Sequence, residues 1–262
     1  MGKMSGRVAL VTGGGRGIGR SIALALAREG AAVALTSRSK EELEAVAKEC
    51  TAVGGDGFVV VADAMRREEQ RAAVERTIAH YGQLDALVNN AGGVVAGERG
   101  LVDLMPLTHD DDLFVDNIAL NLFSAYWATR VAIPHMCERR YGRVITIGSG
   151  YAKRSGGAWA YSTAKHGLVG FTRALAAQLA PHGINVNCLC PGWTNTRLLD
   201  WDALAAAYGT TAAAVKAAAE AENLQKRIVE PDELGPMALL LCSEESAAIT
   251  GQVISVDGGY KV

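Results

Sequence analysis

No stretch of the 262-residue chain approaches the ~20 consecutive apolar residues that a membrane span needs, and the early run VALV is cut short by Thr12 and glycines. The expectation is a chain with neither a membrane span nor a secretory leader. Ser or Thr is missing at position 6, so Gly2 does not fit a myristoylation pattern. Blocks of one charge are also missing: 28 acidic side chains face 26 basic ones, which argues against wholesale nucleic-acid binding. Cysteines are few and odd in number, five, which excludes a disulfide framework and points to a reducing, cytoplasmic compartment. The 30 glycines lack collagen's every-third period. No Pro/Ser-rich linker or repeat divides positions 1 to 200, so one domain is expected over 1 to 262.

Seven short β-rich runs are present, RVALV (7–11), AAVALT (31–36), FVVVA (58–62), DALVN (85–89), RVITI (143–147), INVNCL (184–189) and VISV (253–256). Several are apolar on both faces, and the spacers between them are long enough for helical crossovers. That pattern predicts an α/β fold, a single doubly wound Rossmann-type domain with a seven-stranded parallel sheet. Two stretches break the rhythm, 93–112 and 193–224. The second carries two tryptophans and an Ala-rich patch that reads either as a packed helix capped by Thr210 or Thr211, or as a lid over the strand ends.

After the first run comes TGGGRGIGR (12–20), opening into the apolar-periodic helix SIALALAREG. Glycines admit a pyrophosphate close to the backbone, and a helix N-terminus offers it unpaired N–H groups. The spacing of Gly13, Gly17 and Gly19 departs from GxGxxG. Further along, Tyr161 and Lys165 fall four apart, on one helix face. A neighbouring ammonium favours the phenolate, which makes such a pair a usable proton donor. Ser149 lies just past RVITI, at the strand edge where ligands gather, able to hold a carbonyl beside the phenol.

With TGGGRGIG (12–19), NNAG (89–92), YSTAK (161–165), PGWTNT (191–196) and VDGG (256–259) in that order, the chain resembles the short-chain dehydrogenase/reductases of the compact, roughly 250-residue kind over its whole length. The resemblance implies a catalytic trio of Ser149, Tyr161 and Lys165. It adds an asparagine that orders a water relay; here Asn121 is favoured and Asn117 is read as a helix-surface or packing residue. It implies coenzyme contacts from Gly13, Arg16, Gly17, Ile18, Gly19, Asp63, Asn90, Ala91, Gly92, Pro191, Gly192, Thr194 and Thr196, together with Tyr161 and Lys165, and a homotetramer. The Ser149-to-Tyr161 spacing of 12 is one short of the usual family spacing, which bears on pocket shape.

Coenzyme choice is read from the second strand, which ends TSRS with Arg38 and no acid before Glu41. A guanidinium there binds a ribose 2′-phosphate that a carboxylate would repel, and Arg16 adds a second charge. NADP(H) is therefore expected over NAD(H), unless both arginines are merely solvated. No metal is expected: THDDD (108–112) reads as a helix start and Cys188 with Cys190 as buried core. The substrate side draws on Val94, Val95, Tyr151, Trp159, Trp193, Leu198, Leu199 and Trp201, which suits a moderately hydrophobic ketone. Lys153 and Arg154 would instead meet an anionic substrate, and Arg139, Arg140 and Arg143 an acyl carrier. An enoyl reductase is disfavoured by the tight Tyr-x-x-x-Lys spacing, and a non-catalytic nucleotide-binding module by the survival of the proton-transfer residues.

Overall fold

The computed structural model describes residues 2–98, 100–104 and 110–262. Among them, all seven expected runs form one parallel sheet: β1 (Val8–Thr12), β2 (Ala32–Ser37), β3 (Asp56–Val61), β4 (Ala86–Asn89), β5 (Gly142–Ile147), β6 (Ile184–Pro191) and β7 (Val253–Val256). Their spatial order is β3-β2-β1-β4-β5-β6-β7. The order reverses between β1 and β4, which opens a crevice at the strands' carboxyl ends. Strand β1 shows why these runs read apolar on both faces. Ala9 and Val11 join a core with Ile22, Leu26, Leu43 and Leu241, whereas Leu10 packs with Met136, Val144 and Val186 on the other side.

The crossovers are α1 (Gly17–Arg28), α2 (Lys40–Ala52), α3 (Arg67–Tyr81), α4 (Asp111–Ile118), α5 (Ser124–Arg139) and α6 (Trp159–Leu179), followed by α7 (Trp201–Tyr208), α8 (Ala212–Ala221) and α9 (Gly235–Cys242). A π-helical turn at Ala119–Phe123 joins α4 to α5 in one long helix. It starts where the acidic stretch predicted. The cap is Asp110, whose carboxylate accepts from the N–H groups of Asp112 and Leu113, while Thr108 lies outside the described residues. In the Ala-rich patch the cap is Thr211, accepting from Ala214 N. No helix of the described residues is long and apolar enough to cross a membrane.

The sheet's opposite edge is held by charge. Asp85 is 1% exposed; its carboxylate accepts from Val8 N at 2.8 Å, Arg7 at 3.2 Å and Arg139 at 3.1 Å. Arg143 is buried and donates to the Ser243 and Gly142 carbonyls, and Arg140 donates to Pro181 O. The three arginines considered for an acyl carrier thus all make structural bonds around the amino end of β5, with Arg143 buried and Arg139 and Arg140 exposed.

Candidate active site

The glycine turn is built by close approach. Gly13 and Gly17 have φ of +65° and +53°, a region that a side chain makes costly. A Cβ on Gly19 would collide with the Gly13 carbonyl oxygen and come within 2.5 Å of Asn90 Nδ2. The N-cap of α1, Arg16, makes no side-chain cap bond, so the first-turn N–H groups stay available to an anion in the crevice.

A knot of hydrogen bonds joins this turn to the NNAG segment. Thr12 Oγ1 accepts from the N–H of both Asn90 and Ala91 at 3.0 Å. Asn90 Nδ2 donates to the carbonyls of Thr12 (2.9 Å) and Gly13 (3.1 Å). Thr12 is a site residue that the sequence reading passed over, although its place at the head of the glycine motif was the available signal.

The residues expected at the site converge. A continuous cleft of about 1630 Å³ is lined by Gly13, Arg16, Gly17, Ile18, Arg38, Asp63, Asn90, Ala91, Gly92, Ser149, Tyr161, Lys165, Pro191, Gly192, Thr194 and Thr196. This exceeds the usual ~300 to 1,000 Å³ of one small-molecule pocket and leaves room for two ligands side by side. Gly19 and Asn121 stand behind the wall. At the chemical end Ser149 hydrogen-bonds Tyr161, Lys165 Nζ lies 5.4 Å from the Tyr161 ring centre, and that ammonium donates to Ile147 O at 2.8 Å. A Cβ on Gly92 would sit 2.8 Å from Asn121 Oδ1 and 3.2 Å from Lys165 Nζ, so this glycine is what lets those two side chains share a corner.

The electrostatics differ from the expectation. Burial raises the Tyr161 phenol to about 12, with the Ser149 hydrogen bond pulling the other way. Burial lowers the Lys165 ammonium to about 8, opposed by the charges of Cys188 and Cys190. Loss of water disfavours the charged form of each group and is the largest influence on both. The two cysteines lie beneath this corner on β6, fully buried, with Sγ atoms 3.7 Å apart and no disulfide between them.

The two asparagines occupy successive turns of one device. Asn121, in the π-helical turn, accepts from Gly93 N (3.0 Å) and donates to Gly93 O (2.8 Å) and Asn117 O (3.0 Å). Asn117 repeats the pattern two residues on: it accepts from Val95 N (3.1 Å) and donates to Val95 O (2.8 Å) and Leu113 O (2.8 Å). Of the two readings of Asn117, the helix-surface one is corrected. The residue is fully buried and clamps the segment that floors the cleft.

At the ribose end Arg38 is exposed, lines the cleft, and makes no ion pair with the described residues. Arg16 lies 3.7 Å from Glu42, which also pairs with Arg197 at 3.0 Å. Asp63 follows β3 and accepts from Met65 N. At the other end, Val94, Val95, Tyr151, Trp159, Trp193, Leu198 and Leu199 line the cleft as expected, whereas Trp201 packs behind Trp193 with ring centres 6.2 Å apart. Tyr208 and Tyr260 line it too and were missed. Lys153 and Arg154 do not reach it: they donate to Ser255 Oγ and Lys261 O. The short Ser149-to-Tyr161 loop closes through Gly156 and Gly157, both at positive φ, with the Tyr151 ring laid over them.

Comparison with known proteins identifies the family of the fold. The family model for short chain dehydrogenase matches residues 7–206. An uncharacterized oxidoreductase of Bacillus subtilis is 34% identical, with 98% of this chain and 99% of that protein covered. A short-chain reductase of Streptomyces niveus is 34% identical over 96% of this chain and 93% of its own. Among solved structures, a variant of actinorhodin polyketide ketoreductase with NADPH superposes with a TM-score of 0.90 at 33% identity, covering 99% of this chain and 98% of that one.

Proposed function

The chain belongs to the short-chain dehydrogenase/reductase family of oxidoreductases, and from that premise we propose that it is an NADP(H)-dependent enzyme interconverting a ketone and a secondary alcohol. The observation that carries the reading is the single cleft shared by the glycine turn and the Ser149, Tyr161 and Lys165 group.

The cradle suits a pyridine dinucleotide: the uncapped start of α1 and the side-chain-free faces of Gly13 and Gly17 would hold the pyrophosphate, while Asp63 and Arg38 would meet the adenosine end. When bound, the nicotinamide supplies or accepts the hydride. The protein's own part is proton handling and placement. Tyr161 keeps its proton at neutral pH because burial holds it up near 12, and it donates that proton to the carbonyl oxygen. Ser149 positions the oxygen. Lys165 holds the ribose and the charge balance beside the phenol, and Asn121 fixes the floor at Gly93. An unpaired guanidinium at the end of β2 supports NADP(H), since charge-assisted forked bonds to a 2′-phosphate are among the strongest polar contacts.

We read 1–262 as one domain with 193–224 overhanging the substrate end, and as a cytoplasmic homotetramer. Val115, Phe123 and Tyr126 are 58%, 42% and 45% exposed along α4, the π-helical turn and α5, an apolar strip that subunit packing would cover. The test pairs NADPH oxidation over a ketone panel with Tyr161→Phe. General acid catalysis is worth ~100 to 10,000-fold, so turnover should collapse by that factor while NADPH still binds. Retained turnover reassigns the acid, and equal efficiency with NADH refutes the coenzyme reading.

A further inference from the structure

We propose that the substrate is a neutral ketone bearing an aromatic ring, seated against a preformed wall made by Tyr151 and Trp193, with the buried Tyr260 packed against Tyr151. The proposal rests on the ketoreductase reading above and names its substrate class.

Tyr151 and Trp193, the half-buried rings of the set, are locked in place by what lies around them, the buried Tyr260 included. Tyr151 comes two residues after Ser149, and its ring covers Gly156 and Gly157 so closely that a Cβ on either would stand 2.8 or 2.9 Å from it. Tyr260, brought in by the chain's last turn, lies over Gly150 in the same way, at 2.5 Å. Trp193 is anchored by its indole N–H, which donates to Glu222 Oε2 at 2.8 Å; Lys261 holds the other carboxylate oxygen at 3.0 Å. Tyr151 stands edge-on to both neighbours, 6.1 Å and 84° from Trp193, 5.9 Å and 86° from Tyr260. Three glycines have therefore given up side chains to seat two tyrosines, and an ion pair is spent on orienting the indole. Rings fixed this way offer flat faces and edges that a planar ring meets without reordering, while a flexible alkyl chain gains less from them.

Charge points the same way. Apart from Lys165, the charged side chains lining the cleft belong to the glycine turn, α1, α2, the ends of β2 and β3, and the segments 195–197 and 230–232 that bond to one another, to α1 or to α2. The Lys261 ammonium lies over the Tyr151 and Tyr260 rings, 5.8 and 5.2 Å from their centres, but it is paired with Glu222 and does not line the cleft. A carboxylate or phosphate placed against the wall would therefore have to compete with Glu222 for its counter-charge.

The experiment compares phenylacetone with cyclohexylacetone, identical except for saturation of the ring, using NADPH. Two edge-to-face contacts predict a kcat/KM for phenylacetone about tenfold higher. Trp193→Leu, and separately Tyr151→Leu, should each lower that ratio to about threefold, and the double variant to near one, chiefly through KM. Binding is read independently of turnover with phenylacetamide and cyclohexylacetamide, whose carbonyls resist reduction, by calorimetry on the NADP-loaded protein. Tighter binding of the aromatic amide supports the wall even if neither ketone is reduced, an outcome that instead refutes the ketoreductase reading. Equal or better turnover and binding of the saturated pair overturns the aromatic assignment and leaves the reductase intact. Binding of neither amide overturns the assignment as well.

Discussion

Replacing Asn117 with alanine tests whether the cleft floor depends on that side chain. The carboxamide satisfies both backbone groups of Val95, and each group left without a partner costs about 1–3 kcal/mol if it stays buried. Val95 is only half-buried, so its segment can move to find water instead. The cost should then fall near the lower end, about 1–2 kcal/mol, which lowers the fraction of molecules with the floor in place by about 5- to 30-fold. Hydrogen exchange measured on a peptide spanning 90–98 should show protection lost by that factor, and ketone KM should rise in parallel. NADPH affinity should hold, because the Thr12 and Asn90 knot is untouched. The melting temperature should move by no more than a few degrees, since the opening is local. Asn117→Asp sharpens the test. It keeps the size but turns an acceptor toward the carbonyls of Val95 and Leu113, so it should be at least as damaging at neutral pH. A large fall in melting temperature with exchange spread evenly over the chain and KM unmoved would reduce Asn117 to a packing residue.

Other outcomes follow from the same structure. Asp85→Ala leaves Val8 N without its acceptor and frees two partly exposed arginines, a loss of about 2–4 kcal/mol after allowing for solvent screening of those pairs; chemical denaturation should show it, with the kinetics of the folded fraction unchanged. Gly19→Ala drives a methyl into the Gly13 carbonyl, so coenzyme binding measured by fluorescence should fall by at least an order of magnitude, about 1.4 kcal/mol or more. Lys165 sits at about 8 folded against 10.5 unfolded, so the unfolded chain binds more protons in that window and stability should rise with pH across it. Tyr161 sits at about 12 against 10, so its contribution is full below pH 10 and is lost as pH climbs through 12. Thermal melts should accordingly show Lys165→Met flattening the rise above pH 8; an unaltered slope would mean that the lysine is not desolvated.

The fold was legible because its signals are local. Runs such as VALV and VITI are apolar on both faces only where helices cover both sides of a sheet, and the glycine motif states its own turn. The site was legible where spacing along one element places side chains, as with Tyr161 and Lys165. What escaped depends on which segment crosses which. Asn117 looks like any polar residue of a helix until the Val95 segment is laid beside it. Tyr260 follows VDGG with no sign that it will roof Gly150, and Tyr208 ends a short alanine helix. Sequence proximity also hides partners: Arg139, Arg140 and Arg143 look like a basic patch, and nothing in the sequence shows that they bond to Asp85, Pro181 and Ser243. The phenol's shift was misjudged because a charge partner is visible in sequence and desolvation is not.

The knot between Thr12 and Asn90 divides the molecule's capacity for change. It ties β1 to β4 at the sheet's midline, so the coenzyme cradle and the floor of the reaction chamber share one rigid spine. The proposed determinants of coenzyme lie outward on one flank, in the β2 end and α2, and those of substrate on the other, in the Tyr151 loop, the 193–208 segment and the last turn of the chain. The flanks meet in the ion pair of Arg197 with Glu42, outside the corner that holds Tyr161 and Lys165. A change at one flank therefore reaches the other through an exposed surface contact, and the proton-transfer corner is bypassed.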